Sequence, residues 1–88
     1  LHGTYERLCG ALLDADDREG ATALVEEVRL HPLLQQTPRA ELLATLYAGL
    51  GRWKEALEAA RRCLEGDPEH ARMKAIIAQA ESRLAGRD

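Results

Sequence analysis

Apolar residues recur every three or four positions in five segments of the chain, and short stretches rich in Gly, Pro or acidic residues separate these segments. The regularity is clearest in residues 40–50, whose apolar positions are Leu42, Leu43, Leu46, Tyr47 and Leu50. Residues at this spacing lie along one face of an α-helix. The pattern therefore predicts an all-α fold with about five helices, which a composition rich in Leu, Ala, Glu and Arg also favours.

Turn signals bound the two central helices. Thr37 is the predicted N-cap of the first, and Pro38 occupies the first helical position, where its missing N–H would be unpaired anyway. Gly49 and Gly51 end this helix and let the chain reverse. The returning helix is predicted over residues 53–64, with an apolar stripe of Trp53, Ala56, Leu57, Ala60, Cys63 and Leu64.

A weaker hairpin precedes the central one. Its first helix is predicted over residues 4–15, and its second over residues 21–30 after a turn in residues 14–20. The second helix ends at His31 because the following proline disfavours helical backbone in the residue before it. Residues 33–36 then make the longest connection. The inward side chains of the first helix are predicted to be Tyr5, Leu8, Leu12 and Leu13.

The last helix is predicted over residues 67–85, and its apolar face consists of Met73, Ile76, Ile77, Ala80 and Leu84. Glu81 stands on this helix where the earlier segments carry an apolar residue, as expected of a terminal helix with nothing stacked beyond it. In the preceding helix, Glu58 and Arg62 are four residues apart in the favourable orientation, so an ion pair is expected between them.

The chain also matches itself when it is shifted by 34 positions. Leu8, Leu42 and Ile76 fall into one column, and the small residues Gly10, Ala44 and Ala78 fall into another. A fixed period of this length is typical of stacked helical repeats.

Residues 37–68 resemble a tetratricopeptide repeat, and the matching positions are Leu43, Ala44, Tyr47, Gly51, Trp53, Ala56, Cys63 and Pro68. The resemblance implies antiparallel helical hairpins in a short right-handed solenoid. Residues 3–33 would then be a degenerate hairpin, and residues 69–85 a C-terminal capping helix. These parts form a single domain over residues 1–88, or a fragment of a longer protein.

Four alanines carry specific expectations under this resemblance. Ala44 and Ala56 are small where the two helices of the repeat cross, which implies a close approach of the helices. Ala40 and Ala60 stand where the family usually has aromatic residues, so the core is expected to be thinner there.

A second resemblance is to the tetratricopeptide-like bacterial transcriptional activator domain. The residues that carry it are His31-Pro32-Leu33, Leu46-Tyr47, Gly51-Arg52, Glu55-Ala56-Leu57 and Asp67-Pro68. It implies an alternative function, a regulatory or oligomerisation domain of a bacterial transcriptional regulator. Ten arginines against two lysines, and no asparagine, also favour a GC-rich bacterial source.

Candidate chemical sites are few. Asp14, Asp16, Asp17 and Glu19 cluster before Gly20, but they lack the spacing of a calcium loop and are expected to be solvated, helix-capping acids. No His or Cys stands at metal-ligand spacing, so no metal site is predicted. The three histidines, at positions 2, 31 and 70, are expected to be solvated.

Catalysis is not expected. Cys9 and His31 are a conceivable nucleophile and base, but no orienting group or oxyanion site accompanies them. Cys9 and Cys63 are expected to be buried free thiols in a reducing compartment, which predicts a cytoplasmic protein. No phosphate-binding loop is present, and no cofactor is predicted.

Protein binding is the predicted function. A net charge of −3 with interspersed signs argues against nucleic-acid contact, and no apolar run is long enough to insert into a membrane. Helical arrays bind partners on the concave side, which the first helices of the hairpins line. The predicted contacts there are Arg7, Ala11, Asp14, Glu41, Thr45, Ala48, Arg72, Gln79 and Ser82.

The ligand expected on this side is a helix or an extended peptide of a partner protein. The family's carboxylate clamp needs Asn, which this chain lacks. Stacking of the open end of the array on a second copy, giving a homo-oligomer, is the other interaction considered.

Overall fold

A computed structural model describes residues 2–86, except for the side chain of His2, and contains five α-helices within that range. They are α1 (His2–Asp14), α2 (Arg18–Leu30), α3 (Gln36–Gly49), α4 (Trp53–Gly66) and α5 (Ala71–Ala85). The described residues include no strand, so the predicted all-α class is confirmed. Residues 1, 87 and 88 of the predicted domain, and the predicted solvation of His2, lie outside the described part.

The predicted start of α3 is wrong. The helix begins at Gln36 with Gln35 as its N-cap, so Thr37 is the second helical residue and caps nothing. Pro38 is tolerated at the third position because the first backbone bond of the helix runs from the N–H of Arg39 to the carbonyl of Gln35. The missing N–H of proline therefore breaks no hydrogen bond.

The helix α5 begins four residues later than predicted, and Pro68 lies in the turn before it. His70 is its N-cap, with Nδ1 accepting a hydrogen bond from the N–H of Met73 at 3.4 Å. The predicted capping role of the acidic turn is confirmed at Asp17, whose carboxylate accepts a hydrogen bond of 2.9 Å from the N–H of Gly20. The helix α2 consequently begins at Arg18, before the predicted position 21.

The helix α3 is central and contacts each of the other four helices. The pairs α1–α2 and α3–α4 pack as neighbours, and α5 packs on α3 and α4. Within residues 2–86, no Cα atom of α2 comes within 8 Å of one in α4, and the same holds for α1 and α5. These two separations leave open space on both sides of α3.

Two apolar clusters meet at α3. The first joins α1, α2 and α3, and its most buried members include Cys9, Val28, Leu42 and Leu46. The second joins α3, α4 and α5 through Ala44, Ala56, Ala60, Cys63 and Met73, none of which is measurably exposed. Leu43 and Tyr47 pack against both clusters, so α3 connects them into one core.

The predicted inward position of Leu8 is wrong, because 42% of this residue is exposed. The ring of Tyr5 packs edge-on against His31, with 5.8 Å between the ring centroids. That contact turns Tyr5 and, one turn later, Cys9 toward the core, and it leaves Leu8 on the adjoining face of α1. Leu12 and Leu13 are partly buried, as expected.

Side chains tie the connections to the helices. Arg39 donates through Nη2 to the carbonyl of His31 and, at 2.7 Å, to that of Leu34, which holds the long connection onto α3. Arg18 donates to the carbonyl of Leu50 at 2.7 Å and links α2 to the end of α3. Because His31 also packs on Tyr5 and is half-buried, its predicted solvation is wrong.

Candidate functional site

An open groove of about 550 Å³ lies between α1 and α5, with α3 as its floor. It exists because α1 and α5 do not touch through their backbones. We call it the α1–α5 groove, and its lining residues are Gly3, Glu6, Arg7, Cys9, Gly10, Glu41, Leu42, Thr45 and Arg72.

Four of the nine predicted contact residues line this groove: Arg7, Glu41, Thr45 and Arg72. Ala11 and Asp14 are exposed elsewhere on α1, and Gln79 and Ser82 are exposed on α5. Ala48 is half-buried and packs against the cluster formed with α4 and α5. The structure therefore brings together part of the predicted surface, at the end of the groove nearest the start of α5.

Five groove residues were not predicted as contacts. Cys9 and Leu42 were assigned to the core, and they do form an almost fully buried floor. Gly3 and Gly10 would meet no atom within 4 Å if each carried a Cβ, so the backbone of α1 is open to close approach. Glu6 is the fifth, and its charge opposite to that of Arg72 is the sequence signal that could have identified it.

Charged side chains link the three helices across the groove. Arg72 Nη1 lies 3.9 Å from Glu6 Oε1 and 3.8 Å from Glu41 Oε1. The side chain of Arg72 is 58% exposed, so each contact contributes little stability. A ligand can therefore compete for this guanidinium at small cost.

His70 supports the same cluster from the start of α5. Its Nε2 lies 3.5 Å from Glu41 Oε1, while its Nδ1 accepts from Met73. This pairing assigns the proton of a neutral imidazole to Nε2, facing the carboxylate. With 19% of its side chain exposed, His70 is more buried than predicted.

The thiol of Cys9 is unsuited to nucleophilic chemistry. Burial raises the pKa of Cys9 to about 11, so the thiol is protonated near neutral pH. His31, considered above as its base, packs on Tyr5 instead. Burial likewise raises the pKa of Cys63. Within residues 2–86, no three His, Cys, Asp or Glu side chains are grouped so as to hold a metal ion.

The raised pKa predicts a loss of stability in alkali. Because Cys9 has a pKa of about 11 when folded against 9.0 ordinarily, the unfolded chain releases this proton first. The contribution of Cys9 to the free energy of unfolding should stay constant below pH 9. It should then decrease by about 1–3 kcal/mol as the pH rises toward 11. Urea unfolding followed by Trp53 fluorescence at a series of pH values measures the slope.

The variant Cys9→Ala supplies the comparison for this measurement. It lacks the thiol, so its stability should fall less between pH 9 and 11 than that of the unmodified chain. Below pH 9 the two curves should run parallel. Equal slopes in the alkaline range would show that Cys9 does not keep its proton in the folded state.

Comparison with models of known protein families, with curated proteins and with solved structures gave no match. None of the helices within residues 2–86 has the length and apolar character needed to cross a membrane.

Proposed function

We propose that this chain is a tetratricopeptide-type interaction module that binds a segment of a partner protein in the α1–α5 groove and catalyses no reaction. The observation that carries the proposal is the groove itself. Side chains of α1, α3 and α5 line this one surface, and the backbone of α1 is exposed along it at Gly3 and Gly10.

The helix contacts support the repeat arrangement. In stacked hairpins, each unit contacts only its neighbours, and the first helix of one unit packs on both helices of the preceding one. The helix α3 packs on α1 and α2 in this way, and α5 packs on α3 and α4. The first helices α1, α3 and α5 then line one side, which is the side of the groove.

The chemistry of the groove favours a peptide or helix with mixed charge. The lining carries Arg7 and Arg72 as well as Glu6 and Glu41, so neither sign dominates. A bound segment would exchange the contacts of Arg72 for its own carboxylate and would lie close to the open backbone of α1. We propose that this binding takes place in the cytoplasm, which the free, buried thiols of Cys9 and Cys63 support.

Charge reversal at Arg72 tests the function. A peptide is first selected from a displayed library against the immobilised chain, and its dissociation constant is measured by calorimetry. Arg72→Glu should weaken binding at least about tenfold, because it places a third carboxylate beside Glu6 and Glu41.

Arg61→Glu is the matched control for this experiment. The side chain of Arg61 is 60% exposed, close to the 58% of Arg72, and it also faces a carboxylate, that of Glu81. It does not line the α1–α5 groove. Its variant should bind within about twofold of the unmodified chain. Equal losses from both variants, or no selected peptide that binds saturably, would count against the groove as the binding site.

A further inference from the structure

A second groove, of about 400 Å³, lies between α2 and α4. Its floor on α3 includes Ala40 and Leu43, whereas the α1–α5 groove uses Glu41 and Thr45. With about 100° of rotation per residue, these two sets lie on opposite faces of α3. We call the second site the α2–α4 groove.

The floor of the α2–α4 groove is apolar and made partly of small residues. Ala40 and Ala59 lie on it beside Leu43 and Tyr47. Alanine side chains leave space that a large apolar side chain of a ligand can fill. The volume is within the range of small-ligand pockets, which suits one or two anchoring side chains better than a whole peptide.

Positive charge gathers at one end of this groove. Arg29 lies in the last turn of α2, where its exposed side chain pairs with Glu26 at 2.9 Å, and Arg39 in the first turn of α3 is bonded to the connection between these helices. Arg62 approaches the same end because α4 finishes at Gly66, beside Thr37 near the start of α3.

Negative charge lies toward the other end. Glu55 is in the first turn of α4, close to the C-terminal part of α3, where the N–H of Arg52 donates to the carbonyl of Tyr47 at 2.9 Å. Glu58 follows one turn later. The expected ion pair between Glu58 and Arg62 is not formed, and within residues 2–86 neither of them nor Glu55 has an ion-pair partner.

The geometry points to a partner of defined chemistry: we propose that the α2–α4 groove docks an amphipathic helix of another protein. A large apolar side chain of that helix sits over Ala40. Its acidic C-terminal end lies against the three arginines, and its basic N-terminal end lies against Glu55. The helix macrodipole favours the same direction, since the negative C-terminus meets the positive end of the groove.

Two synthetic peptides with the same apolar stripe test the direction. One carries Lys at its N-terminal end and Glu at its C-terminal end, and the other carries these charges in reverse order. Each is titrated into the isotopically labelled full chain and followed by NMR. The first should bind at least about tenfold tighter and shift the amide signals of Ala40, Leu43 and Ala59.

The intrinsic helicity of the two peptides favours the opposite result, which makes the test more stringent. The reversed peptide complements its own macrodipole and is the better helix in isolation. A preference for the first peptide therefore has to come from the groove. Circular dichroism should also show that the first peptide gains helix on binding.

A charge swap in the chain should remove most of the preference. The double variant Glu55→Arg with Arg62→Glu keeps the net charge of the chain, and because Glu58, Arg29 and Arg39 stay in place it leaves little charge difference between the two ends of the groove. The control swap, Glu69→Arg with Lys74→Glu, exchanges an exposed pair outside both grooves and should leave the preference unchanged.

Four results would overturn the proposal. They are equal affinities for the two peptides, a preference that the swap leaves undiminished, signal shifts confined to the α1–α5 groove, and no saturable binding up to about 1 mM, the weak end of specific recognition. A dimer in sedimentation that excludes both peptides would assign the groove to a second copy of the chain and would also overturn it.

Discussion

Replacing Leu46 with alanine is expected to lower the free energy of unfolding by about 3–4 kcal/mol. Leu46 has no exposed surface and lies in the cluster where α1, α2 and α3 meet. The change removes apolar contacts and leaves a cavity that neighbouring side chains fill only in part. For a domain of 88 residues, total stability is about 4–13 kcal/mol, so the loss is a large share of it.

Leu33→Ala is the matched control, because it makes the same chemical change at a residue that is 76% exposed. Its effect should stay within about 0.5 kcal/mol. Urea unfolding followed by circular dichroism measures both variants against the unmodified chain. Similar stabilities for Leu46→Ala and Leu33→Ala would mean that the apolar cluster where α1, α2 and α3 meet is not packed around Leu46.

The sequence predicts the existence of the five helices because their apolar periods are long and regular. It predicts the start of α4 at Trp53 correctly and the starts of α3 and α5 less well, since Gln35 and His70 occupy the N-cap positions of those two helices. Neither of these is a residue type with a strong N-cap preference. The His70 cap depends on a ring nitrogen oriented by the turn before it, which no local pattern reveals.

The rotation of α1 was predicted incorrectly at one position for a physical reason. Leu8, Cys9, Leu12 and Leu13 place apolar groups on more than one face, so periodicity alone permits several orientations. The contact of Tyr5 with His31 decides between them. That contact joins two segments far apart in the chain and requires the tertiary fold.

Only some of the residues that line the α1–α5 groove were predicted. The 34-residue register identifies which face of a helix is directed at the groove, but it does not show which turns of that helix the groove covers. Asp14, Ala48 and Ser82 share a register column that falls in the last turns of α1 and α3 and late in α5, beyond the groove. The thinner core expected at Ala40 and Ala60 stays a prediction. Ala40 lines the α2–α4 groove but is only 4% exposed, and Ala60 has no exposed surface.

Replacing Ala44 with leucine is expected to destabilise the fold by about 2–3 kcal/mol. Ala44 has no exposed surface and lies in the cluster between α3 and α4, the helices with the most extensive contact in the chain. Leucine adds three carbon atoms inside a cluster that also contains Ala56 and Ala60, neither of which has exposed surface. The helices must separate or the new side chain must leave its preferred rotamers, and both cost packing energy.

Ala78→Leu makes the same change at an exposed position of α5, and the similar helix propensities of the two residues should keep its effect within about 0.5 kcal/mol. Fluorescence of Trp53, the single tryptophan, reports the separation of α4 from α5, because the Arg83 guanidinium lies 5.5 Å from its ring centroid. Ala44→Leu should also shift the emission, whereas Ala78→Leu should not. If Ala44→Leu is as stable as the unmodified chain and its emission is unchanged, α3 and α4 must lie farther apart than the buried alanines indicate. That result would contradict the close helix crossing that the tetratricopeptide resemblance implies.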